Sequence, residues 1–332
     1  MNKENRSLNF SLIVCTYQRA ESLRRLLDSV KIQSRYPNKI LIIDGSEDSQ
    51  TDEMLEKENF NRLKYIRVGQ EYRGLTKQRN YGIDKVDNNS EIVCFLDDDI
   101  VLENNYFEQL LNTYRVYPEA IAVGGWIKDE TVWEKVKDDY SPKFDEFLID
   151  GYVRKLGLRN VLRKRLGLLS HLPPGVMPEF SHGFSTGFLP PSGKIYEVEY
   201  FMGGISSYKK SIFSEIGFSE KFAGYGLYED MDFCLRASRL GKLYVNTSAK
   251  VAHLHEESGR PDYFKYGRMV IENGYHVWRL KYKNPDVTAK VKWYSIHFLL
   301  LFIRFFNGIK DRRALEDAKG RFSALIGLLI KR

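Results

Sequence analysis

The chain is poor in cysteine, with three in 332 residues, at Cys15, Cys94 and Cys234, and no CxxC pair. An odd number of thiols, each inside an apolar pattern, argues against a disulfide framework and for buried thiols in a reducing compartment. It also lacks an uninterrupted apolar run of spanning length. The strongest candidate, WYSIHFLLLFIRFFNGI at 293–309, is broken by Arg304 and falls short of the ~20 apolar residues a membrane helix needs. The opening MNKENRSLNF holds no apolar stretch of signal-peptide length, so a cytoplasmic location is expected. There is no repeat, low-complexity tract or recognised nucleic-acid motif, and nucleic acid is not an expected partner. Proline is unevenly spread: six of the ten lie between residues 126 and 200, where regular elements are hard to read.

Apolar residues make up 43% of the chain, enough for a sizeable core. The net charge of +7 conceals a division. Residues 259–332 carry sixteen Lys and Arg against six Asp and Glu, so the remainder is acidic by three. A basic segment suits an anionic ligand or membrane surface, or is simply a solvated face.

Up to residue 125, strand patterns alternate with helix patterns. SLIVCTY (11–17), KILIID (39–44), LKYIRV (63–68), EIVCFLD (91–97) and AIAVGG (120–125) read as strands. Near-continuous apolar runs are what strands covered on both faces require. AESLRRLLDSVKIQ (20–33) sets Leu23, Leu26, Leu27 and Val30 at helical spacing, and GLTKQRNYGIDKV (74–86) predicts a short helix. This order predicts an α/β fold: a mostly parallel, Rossmann-like sheet flanked by helices, binding ligands at the carboxyl ends of its strands. Later, VEYFMGG (198–204) resumes regular structure, and YEDMDFCLRASRLGK (228–242) predicts a helix from Asp230 stopped at Gly241. LYVNTSAKVAHLH (243–255) predicts paired strands.

CFLDDDI (94–100) ends an apolar run in Asp97, Asp98 and Asp99. Side chains alternate along a strand, so a strand continued to Asp99 puts Asp97 and Asp99 on one face and Asp98 on the other. Two carboxylates in a low-dielectric setting either share a proton or hold a cation. Oxygen ligands suit Mg²⁺ or Mn²⁺. The alternative is a solvated loop.

The Asp-x-Asp at a strand end, together with other stretches in order, resembles the inverting family 2 nucleotide-sugar glycosyltransferases of the GT-A fold. VCTYQRAESLRRLLDSV resembles that family's first strand and helix, with Cys15 and Gln18 in place of its usual Pro and Asn. IIDGSEDSQT resembles its second-strand signature, KQRNYGI its Ala-Arg-Asn-x-Gly helix, and FMGG followed by YEDMDFCLRASRLG its Gly-Gly and Glu-Asp elements. The likeness runs from residue 8 to about 256, with 126–200 unmatched.

The resemblance implies a nucleoside diphosphate sugar donor of UDP, dTDP or GDP type and a glycan or lipid-linked acceptor. It places Thr16, Tyr17, Arg19, Asp44 and Ser46 around the nucleoside, with Lys77, Arg79 and Asn80 approaching the nucleotide. Asp97 and Asp98 lie by the ribose; Asp97 and Asp99 hold Mn²⁺ or Mg²⁺, completed by His253, with His255 as the alternative. Gly203 and Gly204 admit the donor sugar, and Asp230, beside Glu229, is the base. Each has a plainer reading: Asp44 as a turn former, Asp230 as a helix N-cap, Lys77, Arg79 and Asn80 as an exposed helix face, the histidines as structural. Trp126, Trp133, Tyr200 and Phe201 line an acceptor groove or belong to the core. The expected organisation is a nucleotide-sugar half (1–125), an acceptor and catalytic half (126–256) and a basic helical extension (257–332).

VRKLGLRNVLRKRLGLL (153–169) carries six basic residues and no acid and predicts a basic amphipathic helix. With the C-terminal amphipathic pair it suits peripheral attachment to an anionic membrane, or else oligomerisation. Two rivals to the transferase stand: a binding module without turnover, and a sugar-1-phosphate nucleotidyltransferase. The second needs a Gly-rich first loop that CTYQRAE does not supply.

Overall fold

The computed structural model describes residues 7–222, 224–255 and 262–330. The chain forms two compact units, one of Met1–Glu130 and Pro191–Gly259, the other of Thr131–Pro190 and Arg260–Arg332. The proline-rich stretch thus groups with the basic tail. The boundary expected at 256 lies outside the described residues.

The first unit begins with β1 (Phe10–Thr16), α1 (Ala20–Lys31), β2 (Lys39–Asp44), α2 (Gln50–Lys57), β3 (Leu63–Arg67), α3 (Leu75–Ile83) and β4 (Ile92–Asp97). It continues through β5 (Ile100–Leu102), α4 (Tyr106–Val116) and β6 (Ala120–Ile127). The second unit then takes β7 (Glu134–Lys135), β8 (Glu146–Ile149), β9 (Tyr152–Lys155) and α5 (Leu158–Arg165). The chain returns to the first unit for β10 (Ile195–Val198), β11 (Ile205–Lys209), α6 (Glu229–Ala237) and β12 (Lys242–His253). It ends in the second with α7 (Tyr263–Lys281), α8 (Val287–Asn307) and α9 (Arg312–Ile330).

The main sheet runs β10-β12-β6-β11-β4-β1-β2-β3, with β5 paired to β12. The α/β reading holds, but only half the ladders are parallel. β1, β2, β3 and β4 pair in parallel, as does β12 with β6. β11 runs antiparallel between β4 and β6, and β10 and β5 run antiparallel to β12. A parallel neighbour needs a crossover, usually a helix. The N-terminal strands have such helices, whereas β11 follows β10 with no α-helix between them. The α1 stripe behaves as its spacing predicts: Leu23, Leu26, Leu27 and Val30 are buried against Leu12, Val14, Ile40 and Ile42 in one core.

Three local expectations change. Residues 243–255 are not paired strands: β12 is one strand with a register shift between Val245 and Lys250. The polar Asn-Thr-Ser there reads as a turn, yet Asn246 is buried, donating to the Gln109 carbonyl at 2.9 Å and to Thr113 Oγ1 at 3.0 Å. The regular structure expected at 198–204 gives way to β10 and β11 on either side, because the chain turns at Gly203 and Gly204. The basic helix of 153–169 shrinks to α5: Tyr152–Lys155 is sheet, Gly157 caps the helix start, and Gly167 sits just past its end at φ 66°.

In the second unit, Trp278 stacks on Trp293 at 5.1 Å and His297 on Trp293 at 3.8 Å. α7 and α9 approach so closely that a Cβ on Gly267 would lie 2.2 Å from the Asp317 carbonyl, and one on Gly320 2.0 Å from that of Phe264. Asp317 is buried between Arg304 (2.9 Å) and Arg321 (2.8 Å). Among the described residues no helix is long and apolar enough to cross a membrane.

Candidate active site

The site gathers where β1, β2 and β4 end and where β11 and α6 begin. β4 stops at Asp97, so the strand does not continue to Asp99; Asp98 and Asp99 form a turn into β5. The three carboxylates consequently face different partners instead of alternating across a sheet.

Asp98 points inward. Its oxygens accept from Thr16 Oγ1 at 2.7 Å and Arg19 Nη1 at 3.1 Å, which ties the first loop to the aspartate turn. Burial pushes its pKa up to about 6, against the opposing pull of Arg19 and Thr16. Asp99 lies 3.9 Å from Arg19 Nη1 and 3.4 Å from His253 Nε2. Its carbonyl accepts from the Leu254 N–H at 2.9 Å, pinning the end of β12 beside it. His253 is pushed up to about 9 by its contacts with Asp99 and then Glu130.

Asp97 keeps a half-open side chain, 44% exposed. Its neighbours raise its pKa by removing water, while Arg79 pulls it down. Arg79 itself is buried. It donates to Glu229 Oε1 at 2.5 Å and to Asp97 Oδ1 at 3.3 Å, with its guanidinium over the Phe95 and Phe218 rings at 5.6 and 5.2 Å. Arg79 is therefore a strut between two carboxylates from β4 and α6, not an exposed helix face.

Glu229 and Asp230 open α6, whose N-cap, Tyr228, adopts φ 71°. Burial raises the Glu229 pKa to about 8, partly offset by Arg79, and its Oε2 is enclosed with no hydrogen-bond partner. Asp230 accepts from the Met231 N–H at 2.7 Å and the Gly203 N–H at 3.3 Å. Burial, the larger effect, raises its pKa against those bonds. Gly203 and Gly204 close the floor. A Cβ on Gly203 would meet Glu229 Oε1 at 2.6 Å; one on Gly204 would meet Asp97 Oδ2 at 2.0 Å. Only glycine allows backbone this close to both carboxylates.

The other expected residues fall into two groups. Asp44 and Ser46 are fully buried. Asp44 accepts from the Ser46 N–H (2.8 Å) and from Tyr65 Oη (3.0 Å), and Ser46 Oγ takes the Gln18 N–H at 2.7 Å. This network shapes the loop that leaves Tyr17 42% exposed. Lys77 and Asn80 are not brought to the cluster: Lys77 Nζ bonds the Glu71 carbonyl, and Asn80 clamps Phe218 through both its N–H and its carbonyl. Trp126, Tyr200 and Phe201 are core residues, and Trp133 packs on Phe147.

Sequence reasoning missed Gln78, Tyr65 and Glu130. Gln78, one residue from Arg79, donates to the carbonyls of Thr16 and Ile43 at 3.1 and 2.8 Å, locking α3 under the first two strand ends. Glu130 reaches His255 Nε2 at 3.1 Å; nothing in KDETVWEK marks it.

Family models match both stretches of chain that build the site. The model for glycosyl transferase family 2 matches residues 11–171, and that for the N-terminal domain of galactosyltransferase matches residues 185–255. A glucosyl-dolichyl phosphate glucuronosyltransferase of Haloferax volcanii is 27% identical over 140 residues, 41% of this chain and 43% of that protein. The putative glycosyltransferase EpsH of Bacillus subtilis is 25% identical over 241 residues, 66% and 67% of the two chains. The matched part thus spans less than half of the first relative. Among solved structures, GalNAc-T7 with UDP, GalNAc and Mn²⁺ aligns at TM-score 0.53 and 18% identity, covering 79% of this chain and 47% of that one. Its likeness is one of fold, the GT-A type. With both halves of the site matched in order, the chain belongs to glycosyl transferase family 2.

Proposed function

We propose that the protein is a metal-dependent, inverting glycosyltransferase that moves a sugar from a nucleoside diphosphate to a hydroxyl of a glycan or lipid-linked acceptor, in surface polysaccharide or lipid-linked oligosaccharide synthesis. The observation that carries this reading is the opposition, across Gly203 and Gly204, of two partly exposed carboxylates, Asp97 and Asp230. One stands where a leaving diphosphate is neutralised, the other where an incoming hydroxyl is deprotonated. The binding-module rival does not need a second carboxylate on the far side of the two glycines.

Asp99 offers carboxylate oxygens and His253 an imidazole nitrogen 3.4 Å away, with Asp97 closing the strand two residues earlier; carboxylate oxygens with one imidazole suit Mn²⁺ or Mg²⁺. When bound, such an ion stabilises the negative charge that grows on the departing nucleoside diphosphate. The protein supplies the rest. Thr16, Tyr17 and Arg19, held by Asp98 and by the Asp44–Ser46 network, form the nucleoside side. Arg79 and Glu229 hold Asp97 and α6 at fixed separation. Asp230 takes the acceptor proton on the face of the sugar opposite the diphosphate, which inverts the anomeric centre.

The test is a thermal-shift screen with Mn²⁺ across UDP, GDP and dTDP. A ligand at a hundredfold its Kd stabilises the native state by about 2.7 kcal/mol, so one nucleotide should raise the melting temperature only with metal present. No shift with any of the three would remove the reading. Within the site, Gly204→Ala drives Asp97 aside, since its Cβ would lie 2.0 Å from Oδ2. Mn²⁺-dependent transfer should fall about 100-fold, as expected for a displacement near 1 Å, and a Mn²⁺ titration of the rate would show it.

The tail suits a membrane-held acceptor. Phe302, Phe305, Phe306 and Ile309 recur at helical spacing and are 52–76% exposed, beside exposed Lys310, Arg312 and Arg313. An apolar stripe rimmed by cations fits the headgroup region of an anionic bilayer; a second copy of the same cationic tip would be repelled. Co-sedimentation with vesicles containing phosphatidylglycerol should drop sharply in a Phe305→Ser, Phe306→Ser variant, and should weaken with salt. Equal pelleting of both proteins would reject this attachment.

A further inference from the structure

β6 and β12 run parallel, with Ile127 opposite Val251, so the segments leaving them emerge at the same end of the sheet. Two strained residues follow. Asp129 adopts φ 64° and His255 φ 56°, a region uncommon for residues other than glycine that marks functional sites more often than chance. Their effect is to turn Glu130 and His255 back toward His253. The two imidazoles lie 4.0 Å apart between centroids, tilted by 43°. Glu130 Oε1 stands 3.1 Å from His255 Nε2 and 3.6 Å from His253 Nδ1. The latter exceeds hydrogen-bond length, and His253 Nδ1 is enclosed without a hydrogen-bond partner.

We infer that Glu130, His253 and His255 form a second metal site, taking a tetrahedral transition-metal ion of the Zn²⁺ type. One ligand atom from each residue lies within 4.8 Å of the others. Donors around a tetrahedral ion bound at about 2.0–2.1 Å stand roughly 3.3 Å apart, and the observed 3.1 and 3.6 Å lie on either side of that value. Two nitrogens and one carboxylate oxygen match Zn²⁺, Co²⁺ or Ni²⁺ better than Mg²⁺. The fourth position is left to water or an incoming ligand. Each imidazole coordinates through a neutral nitrogen, and its displaced proton goes to solvent.

The site is coupled to the first through one ring. His253 Nε2 faces Asp99 at 3.4 Å while Nδ1 faces Glu130. An ion on Nδ1 leaves the ring proton on Nε2, directed at Asp99, so Nε2 has no lone pair for a metal there. Zn²⁺ in the second site therefore opposes Mn²⁺ in the first. This coupling rests on the carboxylate metal site proposed above; the second site itself does not.

Full-length protein stripped of metal is titrated with Co²⁺ and its visible absorption recorded. One equivalent should give the intense bands of a four-coordinate ion, and Zn²⁺ should displace it. His255→Ala and Glu130→Gln should weaken binding on the order of 100-fold. The side chains of His255 and Glu130 are 55% and 38% exposed, so neither change empties the core. Weak six-coordinate spectra, or titrations unchanged in both variants, would overturn the site. Mn²⁺ binding followed by electron paramagnetic resonance then tests the coupling. Added Zn²⁺ should weaken Mn²⁺ about tenfold or more in wild type and leave it unchanged in His255→Ala. Mn²⁺ binding indifferent to Zn²⁺ would overturn the coupling. Failure of Mn²⁺ to bind at all would overturn the carboxylate site and the coupling, and leave the Co²⁺ result standing.

Discussion

Asp230→Asn should cut transfer by about a thousandfold, within the range for loss of a positioned general base, while donor binding persists. The substitution preserves shape. Both Asp230 oxygens accept backbone N–H groups, from Gly203 and Met231, and an amide keeps one of those bonds. What it loses is a lone pair on an ionised oxygen able to take a proton from the acceptor. In the proposed site nucleotide binding draws on Asp97, Asp99 and the first loop, none of which hydrogen-bonds Asp230. The measurement is single-turnover transfer alongside calorimetric titration of the nucleotide with Mn²⁺. Transfer within tenfold of wild type would sink the assignment. Loss of nucleotide binding and transfer together would mean that α6 had moved, and that Asp230 is a structural cap.

Arg79→Met should produce the largest stability loss from a single change in the site. The guanidinium lies between Glu229 and Asp97 and is 2% exposed. Breaking a buried pair by removing one partner costs about 3–5 kcal/mol, because a charge is left in low dielectric without compensation. Here Glu229 bears that cost. Burial pushes its pKa up and Arg79 opposes that rise; without the guanidinium nothing offsets the burial, and the ionised carboxylate loses its only strong partner. Arg79→Lys should recover little, since a single ammonium cannot reproduce the planar fork that reaches both carboxylates. Glu229→Gln in the Arg79→Met background should recover part of the loss by removing the orphaned acid. Urea denaturation of the four proteins checks this. A loss under about 1 kcal/mol, the value of a solvent-screened pair, would show that Arg79 is no strut.

Much of this site was legible in the chain. The β1, β2 and β4 strands, the α1 stripe and the polar residues at the strand ends followed from apolar runs and helical spacing, because local period and burial on a parallel sheet leave a direct trace in residue order. The order of FMGG and YEDMD relative to the triple aspartate was equally readable. The roles within those motifs were less so. Asp97, Asp98 and Asp99 look equivalent on the page, yet Asp98 faces Thr16 and Arg19, Asp99 faces His253, and Asp97 stays half open. Residue order carries no information on which way a turn after a strand will aim each side chain.

Sequence alone determined that this protein has an α/β fold with carboxylates at a strand end and a Glu-Asp pair opening a late helix. Only the tertiary structure decided that Arg79 is buried between Asp97 and Glu229, 150 residues from the latter, that β11 enters the sheet antiparallel, and that Glu130 meets His253 and His255. The reason is common to all three. Periodicity reports how a residue sits on its own element, whereas an ion pair, a strand direction or a ligand cluster depends on which distant element arrives beside it, and that is set by the packing of the whole sheet.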